Sequence, residues 1–169
     1  MNTVVDTARR QKEQYAGDSD RPLGSYLATL AVYGTTTAAL ALLARRRGAA
    51  PRAVGLGDLA LMTVTTHKLS RLMSKDPVTS PLRAPFTRYA GTGGPAELSE
   101  EVRGHGARHA VGELITCPFC MAQWVATAYA AGLVFAPEAT RLAGATMTAV
   151  AGSDWLQLAY ARLQQSAEG

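Results

Sequence analysis

The sequence predicts an all-α fold, a small helical membrane protein with three or four transmembrane helices and a cytoplasmic Pro/Gly-rich loop. The first observation is composition, because only 18% of the 169 residues are charged, against roughly 25% in soluble domains. The second is distribution, because the apolar residues concentrate in long uncharged stretches separated by polar segments. A chain of this length forms one domain. We therefore expect a single bundle of helices embedded in lipid.

Residues 1–24 form a polar N-terminal tail that we predict to be mobile. Their charges alternate in sign, and they lack the apolar core of a signal peptide. A short amphipathic helix on the lipid surface is the alternative for part of this tail. The next segment, 25–44, has twenty residues without a charge and is closed by three arginines. A helix of that length covers about 30 Å, the thickness of the hydrocarbon core, so we predict the first transmembrane helix here.

The segment 53–73 is a doubtful span because ionisable residues interrupt it. Such residues are costly in hydrocarbon unless they are paired. Three structures remain open for this segment: a span whose polar face is turned into the bundle, a re-entrant helix, or an amphipathic helix at the interface. The number of spans, three or four, depends on this segment.

A polar loop is predicted for 74–112, because prolines and a glycine cluster exclude one long helix there. Within the loop we expect a short helix at Glu97–Arg103, between Pro95 and Gly104.

Two apolar segments follow the loop. The first, 114–135, has 22 residues without a charge, and the second, 139–160, carries Asp154 in its second half. We predict that both span the membrane and pack against each other, so that the helical membrane domain covers 25–160. The remaining residues, 161–169, are predicted to be a C-terminal tail.

The positive-inside rule does not decide the topology. With four spans the N-terminus lies inside, and with three it lies outside, yet both arrangements place twelve basic residues inside and five outside. Both arrangements put the loop 74–112 in the cytoplasm.

Three strings resemble a known family. They are TTHKLSRLMSKDPVTSPLRAPF at 65–86, GELITCPFC at 112–120, and Gln123-Trp124. Together they are similar to an uncharacterised bacterial family catalogued as domain of unknown function 1360, over roughly 56–160. The resemblance implies a bacterial source and a membrane location, and it leaves a connection with sporulation open. Together with the predicted spans, it leads us to expect a multi-pass protein of the bacterial inner membrane. It implies no activity and no catalytic residues.

The Cys117-Pro-Phe-Cys120 motif leaves three uses open. A Cys-x-x-Cys pair at the start of a helix has the spacing of a dithiol redox centre, although the βαβ surroundings of a thioredoxin fold are missing. The same pair with His67, His105 or His109 predicts a metal site, with zinc as the cofactor, although zinc prefers four ligands. In the third interpretation both cysteines only pack near the lipid interface.

Two further sets of residues are candidates. Asp154 is predicted to form a structural ion pair with Lys68 or Arg71, since an unpaired charge at membrane depth is unfavourable. Arg83 and Arg88, which lie close to prolines in the loop, are predicted to dock a partner protein or an anionic headgroup.

We therefore predict an integral membrane protein of the envelope with a structural or partner-recruiting role. A thiol-redox or metal-binding membrane protein is the first alternative. A small transporter or channel subunit is the second, and it requires a homo-oligomer because four helices enclose little pore. The sequence lacks a nucleotide motif, a nucleophile elbow and paired catalytic carboxylates, so a conventional enzyme is not expected. The expected partners are the lipid bilayer and a protein at the loop, not nucleic acid.

Overall fold

Helices account for most of the chain in the computed structural model, which describes residues 2–16, 21–49 and 53–168. The prediction of a mainly helical protein is confirmed, but the all-α class is wrong because two strands pair within the polar loop. The elements are α1 (Asn2–Ala16), α2 (Leu23–Arg46), α3 (Leu56–Lys75), a 3₁₀ turn (Pro77–Thr79), α4 (Ser80–Arg83), β1 (Thr87–Gly94), β2 (Glu97–Val102), α5 (Ala107–Thr116), α6 (Pro118–Phe135) and α7 (Pro137–Glu168).

The four long helices alternate in direction. Helices α2 and α6 run parallel, since Tyr26 bonds to Glu113 just ahead of α6 while Arg47 lies over the Phe135 ring at its end. Helices α3 and α7 are also parallel to each other, because successive contacts along both join Asp58 to Arg141 and Lys68 to Asp154. The bundle therefore has a hairpin end, which holds residues 75–117, and a turn end, which holds residues 47–49 and 135–137.

Helix α3 packs against α6 and α7 through small and polar side chains. Thr65, Ser70 and Ser74 are almost fully buried, and Thr65 Oγ1 donates to the Gly144 carbonyl of α7 across 3.2 Å. A Cβ atom at Gly144 would lie 2.2 Å from the hydroxyl of Tyr129 on α6. Glycine is therefore required for the close approach of α7 to α6. Among the three structures open for 53–73, a continuous helix with its polar face turned to its neighbours agrees best with this packing.

Two helices in the described part of the chain, α2 and α6, are long and apolar enough to cross a membrane. The prediction of three or four transmembrane helices is not supported, because α3 and α7 carry too many polar residues to meet the same criterion. No residue of α2 is buried, although the helix is rich in leucine, alanine and valine. An uncharged helix that packs so little of its surface against protein is suited to lipid contact.

The predicted polar loop is ordered. Strands β1 and β2 form an antiparallel hairpin, with Thr87 opposite Val102 and Gly94 opposite Glu97. The short helix expected at Glu97–Arg103 is therefore wrong, because the main-chain groups of this segment pair with β1. Gly91 and Ala96 have φ values of 143° and 58° near the tip, a conformation for which glycine is suited. The glycine cluster thus permits a bulged hairpin rather than an irregular loop.

Helix boundaries differ from the prediction at several places. The tail 1–24 contains helix α1, so the described part of this segment is not irregular. The segment 114–135 is not one helix, because α5 ends at Thr116 and α6 begins at Pro118, with Cys117 extended between them. Pro118 lacks an N–H and has a fixed φ, so it starts a helix more readily than it continues one. The last helix extends beyond 139–160 and includes most of the predicted tail 161–169.

Arg83 holds the hairpin against α3. Its side chain is 1% exposed, and that of Glu100 on β2 is 7% exposed; Arg83 Nε lies 2.5 Å from Glu100 Oε2. The guanidinium also donates to the carbonyls of Met73 and Asp76, at 2.8 and 3.0 Å. The fold itself therefore uses the donors of Arg83, and the prediction that Arg83 docks a partner stays a prediction. Arg88 differs, since it is 71% exposed and pairs with Glu101 on the surface.

Removing Arg83 should release the hairpin. We expect Arg83→Met to cost about 3–5 kcal/mol, because Glu100 would be left as an unpaired buried charge. The matched variant Arg88→Met breaks an exposed pair of the same hairpin and should cost less than about 1 kcal/mol. Hydrogen exchange of residues 87–102 in detergent measures the difference. Equal protection of the hairpin in the two variants would refute a structural role for Arg83.

Candidate functional site

The two thiols lie at the break between α5 and α6. Cys117 is the N-cap residue of α6, and its Sγ accepts a hydrogen bond of 3.3 Å from the backbone N–H of Cys120. Both cysteines are free, with Cys117 partly buried and Cys120 exposed. Phe119 lies between them and is 88% exposed. The motif therefore presents two neighbouring thiols and one apolar ring at the surface of the hairpin end.

The surroundings of Cys117 favour its thiolate. Partial burial raises the pKa of the thiol, but hydrogen bonds from the Cys120 thiol and from the N–H groups of Cys120 and Phe119 lower it, as does the charge of Lys75. The net result is a pKa below the ordinary value of a cysteine. A thiolate is the nucleophilic form, so the lowered pKa favours Cys117 as the nucleophile of the pair.

A polar cluster precedes the thiols by one helical turn. The carboxylate of Glu113 accepts a hydrogen bond from Tyr26 and an ion pair of 3.0 Å from Arg21, and His109 Nε2 lies 3.3 Å from it. This cluster joins the start of α2 to α5. It was not visible in the sequence as a group, because Tyr26 and Glu113 are 87 positions apart.

The predicted metal site is not assembled. No group of three or more His, Cys, Asp and Glu side chains in the described ranges is arranged to hold a metal ion. His67 lies elsewhere, with its ring centroid 6.5 Å from that of Trp155. The cysteines alone supply two ligands where zinc prefers four, so the residues do not fit the zinc cofactor considered above.

The structure brings Asp154 and Lys68 together and places Arg71 apart from them. Lys68 Nζ lies 2.6 Å from Asp154 Oδ2, whereas Arg71 Nε donates to Glu97 of the hairpin at 2.9 Å. Both pairs line an open cleft of about 810 Å³ between α3, α7 and the hairpin. A second pair between the same helices, Asp58 with Arg141, closes the turn end at 2.7 Å. This second pair could not be predicted from the sequence, because Asp58 and Arg141 are 83 positions apart.

The Lys68–Asp154 pair should contribute measurably to stability. We expect a double-mutant cycle with Lys68→Met and Asp154→Asn to give a coupling free energy on the order of 1 kcal/mol, because Lys68 is only 18% exposed. The charge-exchanged protein, Lys68→Asp with Asp154→Lys, should recover part of the loss. Thermal unfolding in detergent measures both. Additive single losses would mean that the two charges do not interact.

Alkylation should reveal the lowered pKa of Cys117. Because a lowered pKa populates the thiolate at lower pH, the alkylation rate of Cys117 in Cys120→Ala and wild type should rise with pH and level off above the thiol pKa. We expect the midpoint in wild type to lie below that in Cys120→Ala, since alanine removes the side-chain hydrogen-bond donor that stabilises the thiolate. Lys75→Met should also raise the midpoint. Identical midpoints in all three proteins would contradict the assignment.

Comparison with known proteins gives one match. The family model described as "Protein of unknown function (DUF1360)" matches residues 61–160. No curated protein and no solved structure matches the chain. The matched region is more than half of the chain and includes most of α3, the hairpin, the thiol pair and the Lys68–Asp154 pair. The chain therefore belongs to the DUF1360 family of proteins of unknown function.

Proposed function

We propose that this protein is a membrane-anchored dithiol protein that exchanges electrons with disulfides through Cys117 and Cys120. The observation that carries the proposal is the hydrogen bond from the Cys120 N–H to Cys117 Sγ at the start of α6. It places one thiol where a helix N-terminus stabilises its thiolate, and it holds the second thiol beside it. Accessible, unpaired cysteines in this arrangement are suited to exchange.

The anchoring rests on α2 and α6, the two helices that could cross a membrane. Basic residues favour the cytoplasmic side. Apart from the three in α1, the basic residues of the described helices and hairpin lie nine toward the hairpin end and four toward the turn end. The nine are Arg21, Lys68, Arg71, Lys75, Arg83, Arg88, Arg103, Arg108 and Arg162, and the four are Arg45, Arg46, Arg47 and Arg141. We infer that the thiols face the cytoplasm of a bacterial cell, where a dithiol is kept reduced.

The exchange uses two displacements. The Cys117 thiolate attacks one sulfur of a substrate disulfide, and the other sulfur leaves as a thiolate that takes a proton from water. Cys120 loses its proton and attacks Cys117 Sγ, which breaks the mixed disulfide and releases the second substrate thiol. The substrate gains two electrons and two protons, and the protein is left with a Cys117–Cys120 disulfide. A low-molecular-weight thiol reverses these steps and restores the dithiol.

The neighbouring residues have distinct roles in this proposal. Lys75 stabilises the Cys117 thiolate by its charge. Glu113 lies in α5, the helix before the thiols, and its bonds to Tyr26 and Arg21 fix α5 against the start of α2. Exposed Phe119 offers an apolar contact to a protein substrate.

Trapping a mixed disulfide tests the proposal. The purified full-length protein is reduced in detergent and incubated with oxidised glutathione. We expect wild type to lose both free thiols by forming an internal disulfide. Cys120→Ser should instead retain one glutathione on Cys117, because the resolving thiol is absent. Intact mass and peptide mapping distinguish these products.

The matched variant Cys117→Ser should react more slowly. Its remaining thiol, Cys120, is not at the helix N-cap, where the thiolate is stabilised. Folding of each variant is verified by its thermal midpoint. Two thiols that stay free in wild type, or equal reaction rates for the two single variants, would overturn the proposal.

A structural or partner-recruiting envelope protein is the second candidate. Helix α7 continues for fourteen residues beyond Asp154, and it exposes Leu156, Tyr160 and Leu163 along one face at i, i+4 and i+7. Exposed apolar residues in this pattern suit a helical partner or a second copy of the chain. This second candidate function does not depend on the thiols, so it would stand if the exchange test failed.

A further inference from the structure

A cationic cleft lies at the base of the hairpin, whereas the cleft with the Lys68–Asp154 pair lies at its tip. It has a volume of about 390 Å³. Among the residues that the structure describes, its lining comes from β1, the end of β2 and α5, and the acidic side chains Glu101 and Glu113 lie beside it, paired with Arg88 and His109. The lining residues are Arg88, Val102, Arg103, Gly104, His105 and His109.

The arginines around this cleft are only partly used by the fold. Arg103 donates to the Ala84 carbonyl at 2.6 Å, and Arg108 donates from Nε to the Pro85 carbonyl at 2.9 Å. Carbonyl groups orient a guanidinium without cancelling its charge. Within the described ranges, no carboxylate forms an ion pair with either arginine. Each guanidinium has five donors, so several remain for a ligand.

Arg88 at the rim is the most adjustable of these groups. It is 71% exposed, and its partner Glu101 is 60% exposed. An exposed pair of this kind is weak. A stronger anion can therefore displace Glu101 from Arg88 at little cost.

The cleft lies close to the start of the first candidate span. A Cβ atom at Gly106, next to the lining residue His105, would lie 4.0 Å from Ser25 Oγ in the first turn of α2. The cleft therefore sits near the depth at which a lipid headgroup meets the protein, if α2 crosses the bilayer. Arginine forks match the paired oxygens of a phosphate group.

We propose that this cleft binds the phosphate group of an anionic phospholipid headgroup. The proposal rests on the membrane anchoring by α2 and does not depend on the thiols. A headgroup is favoured over a soluble phosphate because the cleft lies beside the apolar helix. Basic residues at the cytoplasmic surface attract anionic lipid.

Titration with short-chain lipids tests the site. The full-length Cys117→Ser/Cys120→Ser protein in neutral detergent is titrated with dihexanoyl phosphatidylglycerol, dihexanoyl phosphatidylcholine or inorganic phosphate, and thermal unfolding is followed. We expect only the phosphatidylglycerol to raise the midpoint. Arg88→Gln should weaken the apparent affinity about fivefold, the effect of roughly 1 kcal/mol for one basic residue.

Two variants set the controls. Glu101→Gln should strengthen the binding, because it removes the competing carboxylate, while Arg162→Gln removes an exposed charge on α7 and should change nothing. A response to inorganic phosphate that Arg88→Gln weakens would assign the same site to a soluble phosphate. Equal responses to both lipids, or an unchanged affinity in Arg88→Gln, would overturn the proposal. Because the double serine protein is used, failure of the dithiol proposal does not affect this result.

Discussion

The buried ion pair between Arg83 and Glu100 is the constraint on which the hairpin end depends. Arg83 joins the end of α3, the following turn and β2 through one side chain. Two charges removed from water are stable only when their remaining donors and acceptors are satisfied, and here main-chain carbonyls satisfy the donors. The hairpin is consequently fixed to α3, and α5 packs on the hairpin where Gly112 meets Val102. The position of Cys117 follows from this chain of contacts.

Within the bundle, the polar residues of α3 are buried or paired against α6 and α7. Helix α3 carries ionisable residues that would be costly in lipid, yet it lies between α6 and α7 with its small hydroxyl residues buried. Its charged groups pair with those of α7 at two levels, Asp58 with Arg141 and Lys68 with Asp154. Small residues allow two helices to approach each other closely. The dispersion contacts that result stabilise the packing even where lipid and protein are equally apolar. The apolar surface of α2 is left unburied by the rest of the described chain.

Local patterns in the sequence predicted the apolar helices well and the hairpin poorly. The span 25–44 follows from twenty uncharged residues, and α2 contains it. The hairpin could not be predicted, because Glu97–Val102 is polar and becomes a strand only through pairing with β1. The structural role of Arg83 could not be predicted for a similar reason, since its partner Glu100 and its carbonyl acceptors come from three elements. The adjacency of Cys117 and Cys120 was readable from their spacing, whereas the contacts of Glu113 with Arg21 and Tyr26 required the tertiary structure.

The break at Cys117 links α6, a candidate span, to the proposed chemistry of the thiols. In a continuous helix the Cys120 N–H would donate to the Thr116 carbonyl, four residues earlier. Pro118 starts a new helix instead, so the first main-chain bond of α6 runs from Met121 to Cys117. The Cys120 N–H is thereby left for Cys117 Sγ, and the same bond that caps the helix stabilises a thiolate. Pro118, which begins the candidate span, therefore also frees the N–H that stabilises the thiolate of the proposed nucleophile. This occurs at the boundary between the apolar helix and the polar hairpin end.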